Sequence, residues 1–339
     1  MLAYLFLLAV PCFFALLGQN KQTNTIFLYL VAVLYILFIG FRMETGSDWP
    51  AYARMFEMMS YMTWMEAIHF TEPGYATLNW LLAQIGLGIL SVNVIVAIIF
   101  IYGLLKFAKM TPQPWLALVS VTPYLIIVIG MSATRQSAAI GLVFLVLANW
   151  YQGNVKKIIL SLLAISFHYS AVLVLFFVLQ SMKMPSWLRW LILIVGGAVS
   201  FVVLKDTSKF AEYNQTYAVA NLVSPGAIQH ALLNGIPAAI YLVFIKKWNQ
   251  LYGEVDLLRI LAIASIISVF AVFISSTAVD RLALYLSPIQ MLIYSTIPIV
   301  FKNSTLSIAI ILMHFFILWV WLSFSNTAFV FLPYKNHIF

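Results

Sequence analysis

Long apolar stretches, separated by short polar breaks, run from one end of this chain to the other. They fall at about 2–17, 25–41, 74–90, 91–108, 115–131, 135–151, 157–180, 187–204, 229–246, 257–276, 281–300 and 305–324. An α-helix needs roughly 17–25 such residues to cross a ~30 Å hydrocarbon core. A β-barrel would instead show short alternating segments. The pattern predicts an all-α, polytopic helical membrane protein with about 11–12 hydrophobic segments, built as one transmembrane domain over residues 1–339. Two longer polar interruptions, 42–73 and 205–228, are too small to be soluble domains. Both are rich in Tyr, Trp, Asn or Gln, which suits sugars and the interfacial aromatic belt, and both are expected to be outer loops. In the first, Tyr52, Met55, Phe56 and Met59 recur at helical spacing, which predicts a short amphipathic helix lying along the interface. No internal repeat, inverted or parallel, is visible, so the sequence gives no support to a repeat-built transporter.

Composition narrows the class. Hydrophobic residues make up 64% of the chain and charged ones 8%, with a mean hydropathy of +1.01. A soluble domain has about half apolar and a quarter charged residues. The single cysteine, Cys12, excludes an intramolecular disulfide and a cysteine-based metal site. A net charge of +8 is too modest and too scattered to suggest nucleic acid. The N-terminus lacks a basic region and a small-residue cleavage site, so it is expected to be a retained first span. His69, His230, His314 and His337 show no ligand spacing. There is no Gly-rich phosphate loop, HExxH or nucleophile elbow, and no metal or cofactor is expected.

Basic residues orient the chain. Suppose that 42–73 lies outside, that 74–90 dips in without crossing, and that 157–180 is a pair of half-helices turning near His168. The inside then collects Lys21, Lys106, Lys109, Lys156, Lys157, Lys183, Arg189, Lys246, Lys247, Arg259 and Lys302, eleven of the 18 basic residues. If both segments cross fully, eight of the 18 lie inside and ten outside, against the positive-inside bias. The competing reading of 158–180 is one simple span. Only the first arrangement brings Arg42, Asp48, Arg135, His168 and Arg281 to one side.

Each of these residues also has a plainer explanation. Arg42 follows an apolar run and could snorkel from a helix C-terminus. Asp48, in Thr-Gly-Ser-Asp-Trp-Pro, could be a turn or cap residue. Arg135 is harder to dismiss. It opens an apolar helix, where a cation opposes the macrodipole, while the free N–H groups already form an anion site. With Gln136 and Ser137 it could grip a phosphate. His168 lies inside an apolar run, where ionisable groups are rare and usually functional. Asp280 reads as a cap, and Arg281 again sits at the wrong helix end for the dipole, with Tyr285 one turn along. Trp321, Asn326, Pro333 and Tyr334 form a tail that could line a sugar cleft.

Three features together resemble the Wzy/EpsG-type bacterial polysaccharide polymerases. They are Arg42 with Gly46, Asp48 and Tyr52; Thr134-Arg135-Gln136; and Phe167-His168-Tyr169-Ser170. Asp280-Arg281 with Tyr285 and the closing Pro333-Tyr334 are similar to the family's later pattern. The resemblance implies a GT-C-like fold and polymerisation of undecaprenyl-diphosphate-linked oligosaccharide repeat units at the periplasmic face of a bacterial inner membrane. It allows for a chain-length regulator protein as a partner, besides the bilayer. A departing lipid diphosphate needs cations more than a general acid. Arg135, Arg281 and Arg42 are expected to clamp it, with Gln136 beside them. Tyr52, Tyr169 and Tyr285 are expected to hold sugars. Asp48 is expected to take the acceptor's proton, with His168 orienting or sharing it. The competing functions are a membrane O-acyltransferase and a flippase for lipid-linked glycans. The first leaves the arginine pair unexplained, and the second expects charges through the midplane.

Overall fold

A computed structural model of the chain describes residues 1–17, 21–182 and 226–338, with a few single positions between 182 and 226. Almost all of the expected segment 187–204, most of the loop 205–228, and Lys183 and Arg189 lie outside the described residues. The chain opens with α1 (Leu2–Leu16) and α2 (Lys21–Gly40). Three short helices follow, α3 (Trp49–Ser60), α4 (Trp64–Phe70) and α5 (Pro73–Gln84). The centre holds α6 (Ile89–Ala108), α7 (Pro114–Ser132), α8 (Thr134–Ala148), α9 (Asn154–Phe167) and α10 (Leu173–Ser181). The last third holds α11 (Ala227–Val243), α12 (Ile245–Tyr252), α13 (Asp256–Ala271), α14 (Ser276–Ala283), α15 (Pro288–Val300) and α16 (Thr305–Phe324). No strand occurs among the described residues, only one bridge between Arg42 and Asn336.

Local chemistry sets many of these boundaries. Pro50, Pro73, Pro114 and Pro288 stand in the first turns of α3, α5, α7 and α15, where a missing N–H costs nothing. Thr63 and Glu66 close a capping box on α4. Residues Thr122–Ile129 within α7 wind as a π-helix that includes Pro123.

Helices α6, α7 and α16 are each long and apolar enough to cross a membrane. Counting the bent pairs α11–α12 (77°) and Ser276–Leu286 with α15 (50°), the number reaches five. Phe13, Leu30, Leu312 and Phe316 stand exposed on this surface, with Ile98 and Ile267. Apolar exposure on this scale fits lipid and not water. The chain is an all-α polytopic membrane protein.

Helices α6 and α8 touch at the backbone. A Cβ on Gly103 would stand 1.9 Å from the Gly141 carbonyl oxygen, so only glycine permits this approach. Helix α2 packs on α6, and α8 on α9. The end of α2, the starts of α6 and α8, and the end of α9 thereby meet at one end of the bundle. Helix α5 is 12 residues long, about 18 Å of rise, well short of a ~30 Å core. The α9–α10 stretch is broken at His168, which is extended (φ −158°, ψ 122°) and followed by a 3-10 turn over Tyr169–Val172.

Candidate functional site

Arg42, just past the end of α2, turns inward and is 2% exposed. One guanidinium nitrogen donates to the Ile39 carbonyl at 2.6 Å, satisfying an orphan acceptor of the helix end. The other donates to Thr134 Oγ1 at 2.9 Å and Asn93 Oδ1 at 3.3 Å. Arg42 therefore ties α2, α6 and α8 together rather than snorkelling, and burial pushes its pKa down to about 10, still charged at neutral pH.

Thr134 is followed by Arg135, and here the geometry tightens. The Arg135 guanidinium donates to Glu72 Oε2 at 2.6 Å and to Thr71 Oγ1 at 3.0 Å. Glu72 Oε1 meets His168 Nδ1 at 2.8 Å, and the Thr71 hydroxyl donates to Glu72 Oε2 at 2.7 Å. One carboxylate thus bridges an arginine and an imidazole. Burial would raise the Glu72 carboxyl, but His168, Arg135 and Thr71 outweigh it and hold it well below the usual carboxylate range. An ionised Glu72 can only accept, so His168 Nδ1 carries the proton that it receives. In the neutral ring Nε2 then presents a lone pair, and that atom is buried with no hydrogen-bond partner among the described residues. The Arg135 Nε is likewise buried and unpartnered.

The chain brings Glu72 to His168 through a close approach. Gly74, in the first turn of α5, lies against the end of α9, where a Cβ would stand 2.4 Å from Ser166 Oγ and 2.9 Å from the Ser166 carbonyl oxygen. Gly46 is the second special position. It has φ 102°, its N–H donates to the Val330 carbonyl at 3.0 Å, and a Cβ would stand 2.3 Å from the Met131 carbonyl oxygen.

The other expected residues are distributed around this cluster. Tyr52 is buried, with Arg135 5.7 Å above its ring and its hydroxyl accepting from the Arg135 backbone N–H at 3.4 Å. Gln136 donates to the Arg281 carbonyl at 2.8 Å, fastening α14 to the start of α8. The Tyr285 hydroxyl pairs with Ser170 Oγ at 3.0 Å, two residues beyond His168. Tyr169 is 41% exposed. Asp48 is exposed at the start of α3, where it accepts from Ser47 Oγ at 3.2 Å. Tyr334 lies against Tyr4 and Phe38, its hydroxyl donating to the Phe38 carbonyl, so it serves packing rather than a cleft. Among the described residues no three His, Cys, Asp or Glu side chains are grouped as metal ligands would be.

Two features escaped sequence reasoning. Glu72 was legible only as an acid placed directly before a Pro-Gly pair at the start of an apolar segment. Asp280 does not cap its own helix. It accepts from Ser224 Oγ at 2.7 Å and pairs with His230 Nδ1 at 2.7 Å.

A polytopic helical membrane protein with a buried arginine–glutamate–histidine cluster at one end of its bundle is the class that fold and site define. The sequence pattern of the EpsG family matches residues 25–336, and the chain belongs to that family, a group of Wzy-type polysaccharide polymerases. Its role is therefore that of a polysaccharide polymerase of the glycosyltransferase type. Neither a curated protein nor a solved structure matches the chain.

Proposed function

We propose that the chain joins oligosaccharide repeat units carried on undecaprenyl diphosphate, at the periplasmic face of a bacterial inner membrane, with 42–73 and 205–228 as the outer loops. The observation that carries this reading is the single Glu72 carboxylate shared by His168 and Arg135. It places a proton acceptor beside a cation that can meet a phosphate. In the reaction, His168 Nε2 takes the proton of the acceptor sugar's hydroxyl. The freed oxygen attacks the anomeric carbon of the donor sugar. The bond from that carbon to the diphosphate oxygen breaks, and the leaving diphosphate departs with the electron pair. Arg135 and Arg281 stabilise its charge. Glu72 holds the imidazolium that forms.

This assigns the base to His168 and not to Asp48, because Asp48 is exposed with a neighbouring serine as its partner, whereas Nε2 of His168 is buried and unspent. Arg42 acts one step removed, by holding Thr134 beside Arg135. A diphosphate arriving at Arg135 competes with Glu72 for the guanidinium and leaves more of the carboxylate's charge to His168, so binding the donor strengthens the base.

The test is made in the native host. Arg135→Ala and His168→Gln should each abolish long glycan chains, and Glu72→Gln should shorten them, while single repeat units still reach their carrier or acceptor. Unchanged chain lengths in all three would refute the reading. Loss of acyl groups alone would move the chain to an acyltransferase.

A further inference from the structure

Arg281 is one of the two cations given to the departing diphosphate, and the structure surrounds its backbone with side chains that the reaction does not use. Asp280, its neighbour on α14, spends both carboxylate oxygens on groups from elsewhere in the chain. Oδ2 accepts from Ser224 Oγ at 2.7 Å, and Oδ1 pairs with His230 Nδ1 at 2.7 Å, one turn into α11. The His230 ring is stacked on Tyr124 at 4.1 Å between centroids, and Tyr124 belongs to the π-helical stretch of α7. The Ser224 N–H donates to Ser276 Oγ at 3.1 Å, at the start of α14. On the other side of Arg281, Gln136 Nε2 donates to its carbonyl at 2.8 Å. Two residues on, the Ala283 carbonyl accepts from Asn234 Nδ2 at 2.8 Å, and Asn234 Oδ1 accepts from Gln290 Nε2 at 2.8 Å.

This helix of eight residues is tied by side chains on both sides of Arg281. Side-chain hydrogen bonds hold Arg281's carbonyl from α8 and its neighbours Asp280 and Ala283 from α11, and the partners on α11 are in turn fixed by α7 and α15. Such a frame costs conformational freedom before the substrate arrives, so less must be lost when an anion is bound.

We propose that Asp280 and His230, with Ser224 and Tyr124, form a brace that positions Arg281 against the lipid diphosphate. They are positioning residues and make no contact with the substrate. The inference rests on the reading that Arg281 binds the diphosphate, and it adds the residues that make that binding effective.

The test uses the full-length protein in detergent or nanodiscs, with polymerisation of lipid-linked repeat units and equilibrium binding of farnesyl diphosphate as readouts. Asp280→Ala and His230→Leu should each raise KM and the farnesyl diphosphate Kd by roughly ten- to a hundredfold, and lower kcat too, because Arg281 also meets the charge that develops on the leaving group. His230→Asn, whose amide N–H can stand where Nδ1–H stands, should restore most of the affinity that His230→Leu loses. The Asp280→Ala/Arg281→Ala double variant should bind no more weakly than Arg281→Ala alone, since both act through one guanidinium. If Asp280→Ala does not fold, the His230 pair carries the same comparison. Unchanged KM and Kd in the brace variants, or additive losses in the double variant, overturn the brace. If Arg281→Ala itself leaves Kd unchanged, the assignment of Arg281 to the diphosphate fails first, and the two failures are told apart by that single variant.

Discussion

Glu72 holds one nitrogen of His168 and so leaves the other, Nε2, buried and without a hydrogen-bond partner among the described residues. The partners differ in how far the sequence reveals them. Arg135 and His168 announce themselves, because a charge or an imidazole in an apolar run is costly without a purpose. Glu72 does not, since an acid before Pro-Gly reads as an ordinary helix start. Its partner His168 lies 96 positions away, a separation no local pattern can bridge. The same holds for Asp280, whose imidazole partner is 50 positions distant. Asp48 shows the reverse: a polar cluster beside a span drew attention, and the side chain turned out to face solvent. The Glu72 coupling has a pH signature. Its folded pKa is depressed below the ordinary 4.5, so the unfolded state takes up a proton first as pH falls. The stabilisation is complete above about 4.5 and fades below it, toward the depressed folded value. The Tm difference between wild type and Glu72→Ala should therefore shrink as pH falls below about 4.5. At Arg42, replacement by Leu strands the Ile39 carbonyl, Asn93 and Thr134, each unsatisfied group costing about 1–3 kcal/mol. Thermal denaturation in detergent should show a Tm loss of several degrees, with Lys restoring only part of it because one ammonium cannot replace the planar fork.

At the scale of elements, the helices that carry the site were largely visible as apolar runs, and their breaks were not all equally so. The interruption at His168 lies where the charge count set a turn within 157–180. By contrast, hydrophobic periodicity does not register the 77° bend after Val243 or the π-helical stretch in α7 that includes Pro123. Contact between α5 and α9 decides whether Glu72 reaches His168, and Gly74 decides that contact. A methyl at Gly74 meets the Ser166 carbonyl at 2.9 Å, a backbone atom that cannot swing away. Gly74→Ala should push α5 outward and lower kcat by about tenfold or more, with KM for the lipid-linked substrate nearly unchanged. Comparing kcat and KM of the purified variant checks this. Loss of affinity at constant kcat would mean that α5 serves binding and not proton transfer.

At the scale of the whole molecule, the chain's two ends meet at the site. The C-terminal tail returns to the loop after α2, where the Met43 N–H donates to the Lys335 carbonyl, Gly46 to Val330 and His337 to Phe41. The Tyr4 hydroxyl donates to the Phe331 carbonyl at 2.6 Å, so α1 is held in the same knot. Sequence order alone could not show this closure, because partners such as Tyr4 and Phe331, or Tyr334 and Phe38, lie 327 and 296 positions apart. Truncation after Ser325 should release the Arg42 loop and cost most of the activity while the chain still inserts into the membrane, as measured by glycan length and by membrane-fraction yield. The most direct test of the account is the single-turnover rate of glycosyl transfer on a lipid-diphosphate-linked oligosaccharide by Glu72→Gln and His168→Gln, with substrate affinity measured alongside. The rate should fall by about a hundredfold or more in His168→Gln and by less in Glu72→Gln, with affinity held within a few-fold in both. A wild-type rate in His168→Gln would contradict the account.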